Sequence, residues 1–214
     1  ESVAQTPEAG LPEKSSGSSL ADILATQPEE VVARYVYRNP QQTLEFFGIQ
    51  PGMTVVEALP GGGWYSKLLI PYLGSDGKLV GANYPTGMYK LFGYDEERLA
   101  KMANWATDWP ATAQTWTEGE AAQVSGFVMG ELDEGKKGTA DAVLLIRALH
   151  NLARFEADHG YLSQAIQDTF DVLKPGGVLG VVQHAAPSDA DDAWANGSRG
   201  YLKQTFVIAK MEAA

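Results

Sequence analysis

Glu57 and two of the three histidines carry most of the chemistry that this sequence offers. Glu57 closes a run of strand formers, Thr54, Val55 and Val56, and Gly61, Gly62 and Gly63 follow within a few residues. A carboxylate at a strand end accepts hydrogen bonds from sugar hydroxyls or an amine. Glycines let the backbone turn tightly and approach a ligand, and a helix behind them turns free N–H groups toward it. The segment 54–65, TVVEALPGGGWY, therefore suits a nucleotide-like ligand, with Pro60, Trp64 and Tyr65 around the glycines as walls of the pocket. Order decides between cofactors. The dinucleotide fingerprint has its glycines first and its acid about twenty residues later. Here the acid comes first, which speaks against a nicotinamide-dependent oxidoreductase. His150 and His184 each follow an apolar run, and a neutral imidazole near pH 7 serves as a general base. Asn151, beside His150, can donate and accept to orient a substrate. A lone histidine more often caps its strand, but two at neighbouring strand ends favour a site. A two-histidine, one-carboxylate metal centre from His150, His184 and Asp189 would need residues scattered along the chain, and no metal is expected. His159 lies in a polar turn and reads as surface, as does the acidic run 189–192.

These side chains need strands that end on one edge. Strands are expected at 54–57, at 78–82 (KLVGA), at 125–131 (SGFVMGE, with 113–117 as the competitor), at 140–146 (ADAVLLI) and at 178–183. The fourth is a continuous apolar run, as for a strand buried on both faces. Helices are expected from Pro28-Glu29-Glu30, with Val32, Tyr35 and Val36 among its apolar positions, from Pro40 to Phe47, and over 94–107, 161–173 and 201–213. Residues 135–138 form a charged turn, and Lys174-Pro175-Gly176-Gly177 separates the fourth of these helices from the fifth strand. Strand and helix alternate, so the fold class is α/β: a doubly wound, mainly parallel sheet with helices on both faces. Both His150 and His184 then emerge at the carboxyl edge, where such folds bind ligands.

Composition narrows the functions. The 214 residues suit a single domain at 20–214, with N-terminal helices at 20–50 and the core at 51–214. Residues 1–19 are rich in Ser, Gly, Pro and Glu and read as a disordered leader. The chain does not begin with Met, which fits an exported protein whose signal peptide has been removed, or a sequence that begins internally. A net charge of −11 without a basic cluster speaks against nucleic acid and anionic membranes as partners, and no apolar run is long enough for membrane insertion. The absence of cysteine excludes disulfides and thiolate chemistry. Neither a G-x-S-x-G elbow nor a phosphate-binding G-x-x-x-x-G-K-[ST] loop is present.

Glu57-Ala58-Leu59-Pro60-Gly61-Gly62-Gly63 resembles motif I, E/D-x-G-x-G-x-G, of the class I S-adenosylmethionine-dependent methyltransferases. The acid and the second and third glycines match; Leu59 replaces the first. DAVLLIRALHNL at 141–152 and VLKPGGVLGVV at 172–182 resemble the fourth-strand and fifth-strand segments of that class. The three cover most of 51–182 in order, and are most similar to a bacterial, often exported group of predicted methyltransferases sharing PGGGWY, R-x-x-HN and GVV-x-H. The resemblance implies a Rossmann-like fold, S-adenosylmethionine as cofactor and methyl transfer to a small-molecule acceptor. It implies that Glu57, Gly61 and Gly63 hold the methionine and ribose parts. Asn83 falls where the class has a ribose-binding acid, so a weaker grip is expected. Gly130-Glu131 falls where the class reads adenine, near which Tyr84 would stack. Arg147 would pair with Glu57 or the cofactor carboxylate, and His150, Asn151 and His184 would work on the acceptor. A periplasmic or otherwise exported location follows from the group; a cytoplasmic one is the alternative. The terminal β-hairpin of the class has no counterpart after 201–213, so a partner chain or missing segment is expected to cover the fifth-strand edge. The competing function is a non-catalytic small-ligand-binding protein on the same fold.

Overall fold

The computed structural model describes residues 19–119 and 121–214. The expected leader lies outside these residues except for Ser19, which caps α1 (Leu20–Ala25) by exchanging hydrogen bonds with Asp22 in a capping box. α2 (Glu29–Val32), α3 (Tyr35–Arg38) and α4 (Pro40–Phe46) follow. The one helix expected from Pro28 is two separate turns. Its buried residue is Val31, and Val32 and Val36 are exposed. α4 forms as expected, with Pro40 in its first turn and Gly48 beyond its end at φ 68°.

β1 (Thr54–Ala58) passes through the glycine turn into α5 (Ser66–Leu73) and then β2 (Lys78–Asn83). α6 (Thr86–Leu91), α7 (Glu96–Ala103) and α8 (Trp105–Gln114) fill the crossover to β3 (Gln123–Val128). The helix expected over 94–107 is therefore two, the first capped by Asp95, which accepts the Arg98 N–H at 2.9 Å. The third strand runs earlier than expected, and the rival 113–117 segment starts within α8. β4 (Ala140–Ile146) matches expectation. α9 (Leu149–Arg154), α10 (Glu156–His159) and α11 (Tyr161–Val172) lead to β5 (Leu173–Val182). The Lys174–Gly177 turn is a bulge inside β5 rather than a break before it: Ala140 pairs with Leu173, and Ala142 already pairs with Val178. β6 (His184–Ala185) and β7 (Tyr201–Leu202) form a second, small sheet, so the expected last helix begins later, as α12 (Gln204–Glu212).

The main sheet runs β3-β2-β1-β4-β5, with every neighbouring pair parallel. Alternation along the strands feeds two cores. Val55, Leu79, Ala142 and Leu144 pack against α1, α4, α5 and α8. Val56, Val80, Val143 and Leu145 pack against α6, α9 and α11. Gly81 of β2 pairs with Gly126 of β3, and the missing side chains make a trough for the stacked rings of Trp105 and Trp109, 5.1 Å apart. Among the described residues no helix is long and apolar enough to cross a membrane.

Candidate functional site

The central strands β1 and β4 part company at their carboxyl ends. Their pairing stops at Glu57 and Leu144. Beyond it, the Leu59 N–H donates to Ala82 O at 2.7 Å, drawing the chain toward β2, and the Arg147 N–H donates to Val182 O at 2.7 Å, drawing it toward β5. Each pull leaves a non-glycine residue in the left-handed region, Leu59 at φ 55° and Arg147 at φ 60°. Such backbone costs about 1–3 kcal/mol per residue and persists where neighbours over-determine it. The result is a cleft at the topological switch point of the sheet.

A cavity of about 360 Å³ fills this cleft. Ala58, Leu59, Pro60, Gly61 and Gly62 line one side, Ile146 and Arg147 the other, with Glu57 at its floor and Trp64 and Tyr65 as a wall. Residues 61–65 are turn, and α5 starts at Ser66, one turn later than the glycines alone imply. The Ser66 hydroxyl donates to Glu57 Oε2 at 2.6 Å. Glu57 is 5% exposed, and burial pushes its carboxyl up to about 7 against the pull of Ser66 and of nearby Arg38.

Arg38 comes from α3 and had no signal in the sequence beyond its place in a helical turn. Its carbonyl accepts from the Tyr65 hydroxyl at 3.1 Å and the Thr43 hydroxyl at 3.2 Å, and left-handed Asn39 at φ 41° follows it. The guanidinium lies 4.4 Å from the centre of the Trp64 ring. Burial and the charges of Arg34 and Arg147 lower its pKa, and Tyr65 and Glu57 oppose them. Arg38 Nε and Trp64 Nε1 are both sealed from solvent without a hydrogen-bond partner among the described residues. A sealed orphan donor costs about 1–3 kcal/mol. Neither Arg38 nor Arg147 forms an ion pair with Glu57 among the described residues, so the expected Arg147–Glu57 pair is not formed.

Other residues expected at the site stand apart from this cavity. Gly63 faces away: a Cβ there would lie 2.1 Å from the Trp116 ring, so packing requires this glycine. Asn83 is buried at the end of β2, where its Oδ1 accepts from the Tyr89 hydroxyl at 2.6 Å and its Nδ2 has no partner. Tyr84 crosses the top of the sheet and donates to Ala148 O at 2.9 Å, and burial raises its pKa. The Gly130 N–H is taken by buried Asp168 of α11, and Glu131 beside it is exposed.

His150 and Asn151 occupy the first turn of α9, directly after the cavity wall at Arg147. Burial lowers the His150 pKa. Gln183 counters this, while Arg147 and His184 add to it, so the ring is neutral near pH 7. Its Nδ1 and Gln183 Oε1 both lack a well-formed hydrogen bond. Gly197, at φ 94°, lies so close to the His150 carbonyl that a Cβ would approach within 2.0 Å, which holds the 187–200 loop against α9. His184 is exposed at the start of β6, its ring 5.7 Å from that of Tyr201. Among the described residues no three His, Asp or Glu side chains are grouped to hold a metal.

No protein-family model matches the chain, and no curated protein matches it. Solved structures do. A SAM dependent methyltransferase from Aquifex aeolicus is 17% identical, with a TM-score of 0.51 over 92% of this chain and 87% of that one. The YcgJ protein from Bacillus subtilis is 15% identical, with a TM-score of 0.52 over 83% of this chain and 67% of that one. At such identities the likeness is one of fold: a Rossmann-like, doubly wound sheet, as expected for a class I methyltransferase fold.

Proposed function

We propose that this protein binds S-adenosylmethionine in the cleft between β1 and β4 and transfers its methyl group to a small-molecule acceptor. The observation that carries the reading is the buried Glu57 beside the glycine turn, in a cavity at the point where strand order reverses. The fold shared with a methyltransferase structure supports it. The residues present fit the group: Arg38 and Trp64 line the same cavity as Glu57, a buried acid whose one side-chain hydrogen bond among the described residues comes from Ser66. Glu57, Pro60, Gly61, Gly62, Trp64, Tyr65 and Arg147 would hold its amino-acid end. Asn83 would meet the ribose once Tyr89 releases its Oδ1, with Gly130 and Glu131 on the adenine side. Gly63 would act by keeping the turn in shape rather than by contact.

When bound, the cofactor supplies an electrophilic methyl group on a positively charged sulfur. Everything else falls to the chain. His150, kept neutral by burial, takes the proton of a hydroxyl or amine acceptor at a ring nitrogen. Asn151 and His184 orient the acceptor beside it. Glu57 in its ionised form stabilises a cationic neighbour, and the walls of Trp64 and Tyr65 keep water from the cleft.

Titration calorimetry with S-adenosylmethionine and S-adenosylhomocysteine tests this. Saturable one-to-one binding is expected for both, abolished by Glu57→Ala. Unchanged binding in that variant overturns the site, and no binding by the parent protein overturns the reading. The tied-up Asn83 and the Leu59 substitution in the motif favour, as a second reading, a ligand-binding protein without transferase activity. Loss of methyl from bound S-adenosylmethionine in an acceptor screen separates the two. Export and membership of the exported bacterial group bear on the choice between the two readings: a signal peptide encoded upstream favours the ligand-binding protein, and its absence favours the enzyme. A cover over the β5 edge, where Val178 and Val182 are exposed, is part of the same proposal, to be sought as association in sedimentation.

A further inference from the structure

We infer that Gln183 is a positioning residue: its side-chain oxygen takes the Nδ1–H of His150, which leaves Nε2 as the ring nitrogen with a free lone pair. The tautomer follows from packing alone; its use in removing a proton from an acceptor rests on the methyl-transfer reading above. The first support is a complementary pair of sealed atoms. His150 Nδ1 and Gln183 Oε1 are both closed to solvent, and neither has a partner among the described residues. Sealed polar groups in folded proteins are paired with few exceptions, and each of these two supplies what the other lacks. Since Nδ1 is the sealed nitrogen, chemistry on an acceptor falls to Nε2.

The second support is the orientation of the amide. Gln183 Nε2 donates to Gly200 O at 2.7 Å and to His184 O at 3.4 Å. Backbone carbonyls take both of its hydrogens, so the amide turns only its oxygen to the ring, and an oxygen can meet only a ring N–H. Burial lowers the His150 pKa; Gln183 raises it, as an acceptor beside an imidazole does, and Arg147 and His184 lower it further. The third support is the frame. His150 stands in the first turn of α9, and Gly197 packs so closely on its carbonyl that a Cβ would lie 2.0 Å away. Gly200, in the same loop, supplies the carbonyl that holds the amide. One loop therefore fixes ring and amide together, and a hydrogen bond at one ring nitrogen decides what the other can do.

The test reads the ring itself. Nitrogen NMR of protein labelled at its three histidines separates the tautomers at about pH 8, where the ring is neutral. His150 is expected in the Nδ1–H form, against the Nε2–H form that a free histidine side chain favours. Gln183→Leu keeps the bulk and removes the oxygen; it should return the ring toward Nε2–H and lower its pKa by about half to one pH unit. Gln183→Glu keeps an acceptor and adds charge; it should hold the Nδ1–H form and raise the pKa by about one pH unit or more. Gln183 does not line the cofactor cavity, so S-adenosylhomocysteine binding by calorimetry should be unchanged in both variants. An Nε2–H ring in the parent protein overturns the inference, as does a tautomer and pKa that Gln183→Leu leaves in place; either result leaves the cofactor reading standing. A parent protein with the Nδ1–H ring that does not bind S-adenosylhomocysteine overturns that reading and keeps the role of Gln183. The parent spectrum and Gln183→Glu decide the matter even where Gln183→Leu does not fold.

Discussion

Glu57 is the residue on which charge and burial meet at the cavity. Burial pushes its carboxyl up to about 7 in the fold, from an ordinary value of 4.5. The folded state therefore keeps a proton, between those pH values, that the unfolded chain has released. Stability is full below about pH 4.5 and falls as pH rises through 7, by on the order of 3 kcal/mol. His150 works in the opposite sense, since a lowered pKa loses stability as pH falls. A comparison with Glu57→Gln isolates the acid: denaturant melts should find the variant equal to the parent near pH 4.5 and more stable at pH 8. A parent no less stable than the variant at pH 8 would contradict the buried-acid account. The glycines divide just as sharply. Gly62 has open space where a Cβ would go, and Gly63, at φ 76°, has the Trp116 ring. We expect Gly63→Ala to cost about 2–4 kcal/mol and Gly62→Ala less than about 1 kcal/mol, read from the same melts. The sequence shows a row of equivalent glycines. The difference comes from a tryptophan far along the chain, and no local pattern encodes that contact.

At the scale of elements, the site exists because two strand ends bend apart. Leu59 in place of a motif glycine reads as a defect in the sequence, yet in the fold it is the left-handed residue that ties β1 to β2. Arg147 does the same between β4 and β5. Its exposed side chain adds little packing, so Arg147→Gly should raise thermal stability by up to about 1 kcal/mol while weakening S-adenosylhomocysteine binding. A loss of stability on that change would mean that the arginine supports the fold rather than the site. The strands were legible because continuous apolar runs bounded by turns have few alternatives, and β4 shows this best. The helices were less so. Asp95 and Ser19 are capping residues of helices that periodicity alone merges or passes over, and Val31 is the residue that α2 buries. The Ser19-x-x-Asp22 spacing was a signal that could have marked α1.

For the whole molecule, the doubly wound sheet holds the cavity and the N-terminal helices close it. Arg38 of α3 lines that cavity, so a ligand bound there is expected to couple α3 and α4 to the core. Saturating S-adenosylhomocysteine should raise the melting temperature and slow amide exchange in α3, α4 and residues 59–66 together, with α12 unaffected. Protection confined to residues 59–66 would uncouple the N-terminal helices from the site. The amino-acid sequence by itself determined the alternation of strands and helices, the two-faced burial of the central strands, and the placing of Glu57, His150 and His184 near the carboxyl edge. Those are properties of local pattern and of the right-handed crossover rule, which act between neighbours in the chain. Only the tertiary structure decided that Arg38 joins Glu57 at one cavity, that Gly63 serves Trp116, and that Tyr89 and Asp168 already hold Asn83 and the Gly130 amide. Each is a contact between distant segments, set by how the helices pack on the sheet, and a polar group takes whichever partner that packing brings within reach.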